Sequence, residues 1–355
     1  MAFRPAPVGL IILLGVYAAA PLLLSEFWLT VLDYAGIAAV GALGLNLLTG
    51  STGQVSLGHA AFVGLGAYAG AVLGADLGLP LPAWLVGAAL TGAVVGGVVA
   101  TFVLRLSEGY LALGTVGLGF LGEHVYTNWD ELTGGPIGRE VVAPAWLGVD
   151  FDHVGVAGQD LSRAAGWFWL VWGVVAVGAL AVANILRSRP GRALQALRDG
   201  ELAARVIGVD APRFKLRAFV IASAFAAVAG SLLGSFQGHV APSEWNILLS
   251  AQYMAMIIVG GLGRVAGAVV GAVFITALPR VIERYSDAIP GLVTSASEEG
   301  ILTVFALNQV LFGLLIIGFL LFEPRGLVAL WDRVARGRRT RAPQDGSVTV
   351  GAGNP

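Results

Sequence analysis

The chain has 355 residues, 57% hydrophobic and 12% charged, where a soluble domain carries roughly 25% charged residues, so it is no ordinary soluble enzyme. A net charge of −1 gives no footing for nucleic-acid binding, and the absence of cysteine excludes disulfides, iron–sulfur clusters and thiolate zinc sites. The 51 glycines are roughly twice average usage; in a membrane they let helices approach closely and break around a cavity.

A spanning helix needs about 20 mostly apolar residues. Ten stretches are candidates: 8–24, 27–48, 53–75, 82–104, 110–128, 167–186, 216–237, 248–262, 265–281 and 301–322. Ala18-Ala19-Ala20 has the small-residue look of a cleavage site, but the next apolar stretch follows at once and a first span accounts for both. The stretch 248–262 is short and ends in Gly260-Gly261-Leu262-Gly263, which predicts a re-entrant or broken segment. The expected fold is therefore all-α: a polytopic membrane protein with about 8–10 transmembrane helices, one or two of them broken or re-entrant. Residues 1–332 form this transmembrane domain, and the basic, polar segment 333–355 reads as a disordered tail able to touch anionic lipid heads.

Charge placement orients the chain. The loop 187–217 carries Arg187, Arg189, Arg192, Arg198, Arg205, Arg213, Lys215 and Arg217 against Asp199, Glu201 and Asp210, and is expected to be cytoplasmic. The C-terminal end repeats the bias with Arg325, Arg333, Arg336, Arg338, Arg339 and Arg341. The loop 129–166 is acidic, with Asp130, Glu131, Glu140, Asp150, Asp152 and Asp160, and is expected to be external. Ten spans satisfy these assignments with both termini cytoplasmic.

Three segments carry more information. In Gly50-Ser51-Thr52-Gly53-Gln54-Val55-Ser56-Leu57-Gly58-His59, polar side chains enter an apolar segment, where each needs a partner or a water-lined cavity. Ser56 and His59 are three apart and share a helix face. The segment lacks the G-x-S-x-G pattern of a hydrolase and no third group is evident. Interhelical hydrogen bonding and the lining of a polar solute path both remain open. The second segment, 188–210, has the leucine spacing of one or two short amphipathic helices, opened by Pro190-Gly191 and closed by Gly208; such a loop lies on lipid or docks into a partner. The third, Gly263, Gly267 and Gly271, is a small-residue ridge suited to close helix packing. His59, His124, His153 and His239 are too dispersed for a local metal motif, and no metal is expected.

These segments together resemble the inner-membrane permease subunits of bacterial branched-chain amino acid ABC importers, of the LivM type. The pattern G-x-x-G-Q-x-S-L-G-H-x-x-F-x-G-x-G-A-Y is met from Gly50 to Tyr68. It is followed in order by Leu132-Thr133-Gly134-Gly135-Pro136-Ile137-Gly138, by Gly191-Arg192-Ala193 through Gly208, by Phe214-Lys215-Leu216-Arg217-Ala218-Phe219, by Gly260-Gly261-Leu262-Gly263 and by Phe322-Glu323-Pro324-Arg325-Gly326-Leu327. Permeases for urea and other amino acids share this pattern closely. The resemblance implies a LivH-type second permease subunit, two ATP-binding cassette subunits and a periplasmic substrate-binding protein as partners, alongside membrane lipid and without nucleic acid. It also implies that Arg192, Arg198, Glu201, Ala204 and Gly208 belong to a coupling helix seated in an ATPase cleft. A Walker A loop needs a lysine after glycine. The single lysine, Lys215, follows Phe214, so ATP and Mg would be bound by the partner ATPases and this chain would hold no cofactor.

The expected path lining is Asn46, Gln54, Ser56, His59 and Thr133, with no catalytic residue. Glu123 and His124 are further polar candidates. Glu123 is read as the mid-segment carboxylate that an ion-coupled secondary transporter, the alternative class, would need. No side chain offers an obvious pairing for the ammonium or carboxylate of an amino acid.

Overall fold

A computed structural model describes residues 17–106, 108–141 and 162–285, with residue 15 and short pieces between 145 and 160 and between 292 and 328. Most of the stretch 8–16, the bulk of 301–322 and the tail 333–355 lie outside the described residues.

The helices are α1 (Glu26–Thr52), α2 (His59–Ala71), α3 (Leu81–Val103), α4 (Glu108–Asn128), α5 (Arg163–Arg187), α6 (Arg189–Asp199), α7 (Glu201–Val206), α8 (Ala211–Gln237), α9 (Ile247–Gly260) and α10 (Val265–Tyr285). Strand is limited among the described residues to two-residue pieces, of which Arg139–Glu140 pairs antiparallel with His239–Val240. The chain is thus an all-α polytopic protein. Five helices, α1, α3, α5, α8 and α10, are long and apolar enough to cross a membrane.

Burial sorts these spans. In α1 89% of the most apolar stretch is inside the protein, against 22% for α3 and α5. A helix that is apolar on every side belongs in the centre, and α1 packs against α5, α8, α9 and α10 there. The exposed apolar residues Val86, Leu90 and Val94 of α3, with Val177 and Leu180 of α5, make the lipid-facing flanks.

Glycine sets the closest contacts. A Cβ on Gly230 of α8 would overlap the Val63 carbonyl of α2, and one on Gly66 would overlap the Ala227 backbone. The ridge on α10 works likewise: a Cβ on Gly271 would strike the Met256 carbonyl of α9, and one on Gly267 would lie 2.5 Å from Gly261 O. Close packing of α10 on α9 therefore accounts for that repeat.

Two candidate spans turn out to be half-helices. The stretch 53–75 stays non-helical through Gly58 and becomes α2 only at His59, continuing into a π-helical turn at Val72–Asp76. The stretch 248–262 becomes the 14-residue α9, which stops at Gly260 before the chain reverses into α10. At one end of the molecule lie these two breaks together with α6 and α7. At the other end Asp76 pairs with Arg139 at 2.6 Å, and the Gly134–Gly138 turn lies against the backbone at Val240.

Candidate functional site

The first break begins where Gly53 takes φ +77 and closes α1, its N–H bonding Thr49 O; this left-handed position favours glycine. Backbone leaving a helix at membrane depth must find other partners. Side chains from other helices supply them. Leu57 N donates to Thr115 Oγ1 of α4 at 3.0 Å, and Ala60 N donates to Ser250 Oγ of α9 at 2.9 Å. Thr115 and Ser250 are fully buried. His59 opens α2: its Nε2 lies 3.1 Å from Gly41 O, and its ring meets Tyr253 edge-on at 4.9 Å. Gln54 and Ser56 are buried between these anchors, and Gln54 Oε1 has no hydrogen-bond partner among the described residues.

The second break is tied to α1 by one side chain. Asn46 Oδ1 accepts from Gly263 N at 2.8 Å, and Asn46 Nδ2 donates to Arg264 O at 2.9 Å. Gly263 N lies in the turn between α9 and α10 where no helical acceptor serves it, and Arg264 O, which already accepts from Ala268 N at the start of α10, gains a second donor. Gly263 has φ +78, and Gly50 sits where a Cβ would lie 2.5 Å from both Asn46 Oδ1 and Gly263 N. Gly326 also packs here, since a Cβ on it would lie 2.5 Å from Gly261 N. The two glycine motifs and Gly326 therefore meet at one point.

The loop between α5 and α8 touches that point directly. Ser188 caps α6 through Gly191 N, with Pro190 in the first turn, and Leu194 and Leu197 are buried as the anchoring face. From its last turn Arg198 reaches 2.6 Å to Gly50 O. This is an unpaired carbonyl class near the end of α1, where a cation is favoured. Glu201 braces the loop, its carboxylate accepting from Lys215 Nζ and from Arg205 Nη2, each at 2.6 Å. The Lys215 hydrogen bond, with help from Arg205, holds the Glu201 carboxyl below the usual carboxylate range. Ala204 is buried against Leu197 and Ala211. Gly208 has φ +89 and ends α7 with open space around it. Arg192 lies at the surface, 3.4 Å from Arg187 O. On α7, Leu202 and Val206 are 82% and 88% exposed, beside exposed Ile207. An apolar ridge on a charged loop is a surface for something else to cover.

The structure thus gathers Asn46, Gln54, Ser56 and His59 around the first break. Thr133 stands elsewhere: its Oγ1 lies 2.7 Å from both Tyr126 O and Trp129 O and accepts from Gly135 N at 3.2 Å, holding the turn after α4. His124 is exposed and next to Asn128, and Glu123 is half-buried. The mid-segment carboxylate that the sequence reading passed over is Asp33 of α1, which is fully buried with neither carboxylate oxygen partnered among the described residues. Reading Glu123 as the carboxylate of a span therefore overlooked a deeper one inside 27–48. Thr115 and Ser250 were also missed; a single hydroxyl inside a glycine-rich or apolar run was the available signal.

Residues 27–320 match the family described as "Branched-chain amino acid transport system / permease component". The chain is 32% identical over 292 residues to the high-affinity branched-chain amino acid transport system permease protein LivM of Escherichia coli K12, covering 78% of this chain and 69% of that protein. It is 28% identical over 253 residues to the permease protein LivH of the same organism, covering 67% and 79%. The autoinducer 2 import system permease protein LsrC of Salmonella paratyphi B is 28% identical over 234 residues, covering 61% and 62%.

Proposed function

The chain belongs to the branched-chain amino acid transport permease family, and from that premise we propose that it is the LivM-type, membrane-embedded half of an ATP-driven importer for branched-chain amino acids. It forms the solute path with a LivH-type permease subunit, and two ATPase subunits holding ATP and Mg drive it. A periplasmic binding protein delivers the solute. The loop 187–217 and both termini face the cytoplasm, in keeping with its arginines. Gln54, Ser56 and His59 line the path, Asn46 holds its breaks together, and Thr133 shapes its outer mouth.

One observation supports this reading most: Arg198 of the loop is hydrogen-bonded to Gly50 O, at the point where the Asn46 clamp joins both helix breaks. A push on α6 and α7 is thereby delivered to the broken segments and not only to the helix ends beside the loop. The exposed Leu202, Val206 and Ile207 give an ATPase subunit an apolar handle. Alternation then requires only that nucleotide binding to the ATPases favours one of two arrangements of these breaks.

The test uses the importer of all five chains reconstituted in liposomes. In the Arg198→Ala, Glu201→Ala double variant, ATP hydrolysis continues while L-leucine uptake is lost. Unchanged uptake with intact assembly would overturn the coupling role. For the path, Gln54→Ala and His59→Ala each lower uptake at saturating binding protein; normal transport by both would remove this segment from the path.

A further inference from the structure

A cavity of about 410 Å³ lies between α1, α8, α9 and α10, within the roughly 300–1,000 Å³ typical of small-molecule sites. It is remote from the coupling loop. Tyr34 of its wall precedes Gly50 by roughly four helical turns, and Arg280 follows Gly263 by about as many, which places both some 24 Å from the Arg198 contact at about 1.5 Å per residue. Gln237, the last residue of α8, lines it at the same level. In the orientation proposed above this is the external half.

The lining is divided by chemistry. On one wall Arg280 lies with its guanidinium carbon 3.9 Å from the centre of the Tyr34 ring and an Nη1 donating to Thr276 O at 3.0 Å. An arginine inside a spanning helix is costly and marks a functional site by default. One turn away on the same helix is Glu283, also in the lining. In the turn just before Arg280 the helix has been opened as an acceptor. Pro279 carries no N–H, so the Ile275 carbonyl has no helical donor, and the buried Thr276 Oγ1 has no partner among the described residues. The aliphatic wall comes from Ile37 of α1, a turn from Tyr34, and from Leu249 and Met256 of α9. Tyr253 closes one side, and it is the ring that packs on His59 at the first break.

We propose that this cavity is a receiving chamber for a zwitterionic α-amino acid with an aliphatic side chain. Arg280 takes the carboxylate. The Ile275 carbonyl, Thr276 Oγ1 and Glu283 take the ammonium. The aliphatic wall takes the side chain, and Tyr253 connects the chamber to the broken segment at His59. A guanidinium fork suits a carboxylate, and opposite charges a turn apart on one helix suit the two ends of a zwitterion. The chamber rests on the importer reading for its solute, but its accessibility is a separate question.

The chain has no cysteine, so Thr276→Cys introduces the chain's single thiol. The assembled importer in nanodiscs is treated with 2-aminoethyl methanethiosulfonate, and modification of this chain is followed by mass spectrometry. The thiol is expected to react, and L-leucine is expected to slow the reaction while L-leucinamide, which lacks the carboxylate, does not. Adding Arg280→Gln should weaken protection by L-leucine about tenfold in concentration, the scale of one charge-assisted hydrogen bond. Arg280→Lys, which keeps the charge, should restore part of it and so guards against a folding defect. A thiol that stays unreactive in the complex, covered by lipid or by the second permease, would overturn the proposal. So would a rate that L-leucine leaves unchanged. Uptake of L-leucine by the wild-type importer is measured in parallel: its absence would count against the importer reading alone.

Discussion

Replacing Asn46 with alanine deletes both hydrogen bonds of the clamp, 2.8 Å from Gly263 N and 2.9 Å to Arg264 O, at a position only 1% exposed. Two opposing scales bound the cost. Interhelical side-chain hydrogen bonds in membranes average about 0.6 kcal/mol each, because the unpaired groups find other partners. A buried backbone group left unpaired costs about 1–3 kcal/mol. Gly263 N is left in a turn with no helical alternative, so the second scale governs it, whereas Arg264 O keeps its bond from Ala268 N and falls under the first, and a loss of roughly 2 kcal/mol is expected. For a chain of this length that lowers the unfolding midpoint by about 2–3 °C. The midpoint is read from tryptophan fluorescence of the assembled importer, with the ratio of ATP hydrolysed to L-leucine imported measured on the same sample. Asn46→Asp retains the acceptor for Gly263 N but loses the donor to Arg264 O and buries a charge, so it should melt no higher than Asn46→Ala. An Asn46→Ala importer that melts within 1 °C of wild type with unchanged coupling would refute the clamp as the link between the two breaks.

Glycine position decides tolerance: Gly230→Ala is expected to abolish recovery of the assembled complex from membranes, because its Cβ would overlap the Val63 carbonyl, whereas Gly117→Ala, with open space around it, should be recovered at the wild-type level. Arg198→Lys keeps the charge but not the reach of the guanidinium to Gly50 O, and should raise the ATP hydrolysed per L-leucine imported several-fold, about 1 kcal/mol of coupling. The Glu201 brace carries a pH signature. Its carboxyl is held low by Lys215, so the stabilisation is present above the ordinary carboxylate range and is lost as pH falls through the lowered value. Wild type should therefore melt above Glu201→Gln at neutral pH by the equivalent of roughly 0.5–1 kcal/mol. The gap should close on acidification; a gap that persists or widens in acid would dissolve the brace.

Much of the architecture was legible because membranes simplify the problem: length and hydropathy locate spans, and arginine placement sorts loops. The helix break at Gly260-Gly261-Leu262-Gly263 was readable for the same reason, being too short a run before a glycine cluster. The break before His59 was less so. Residues 53–75 are apolar enough for a full span, and only the three-dimensional placement of Thr115 and Ser250 shows which donors the non-helical backbone acquires. Asn46 could be picked out as a polar residue in an apolar helix, yet its role depends on Gly263 and Arg264, more than 200 positions away. The chamber was hidden for a related reason. Arg280 and Glu283 fall at the edge of the apolar stretch 265–281, where charged residues read as the end of a span, and only the packing of α10 against α1 sets Arg280 on the Tyr34 ring, with Glu283 at the rim of the same cavity.

ATP-driven import is measured by uptake of radiolabelled L-leucine into liposomes holding this chain with its second permease, the two ATPases and the binding protein. Accumulation is expected to require internal ATP and every partner, and to be abolished by Arg198→Ala with Glu201→Ala while hydrolysis persists. Accumulation by this chain alone, driven by an ion gradient and indifferent to ATP, would contradict ATP-driven import.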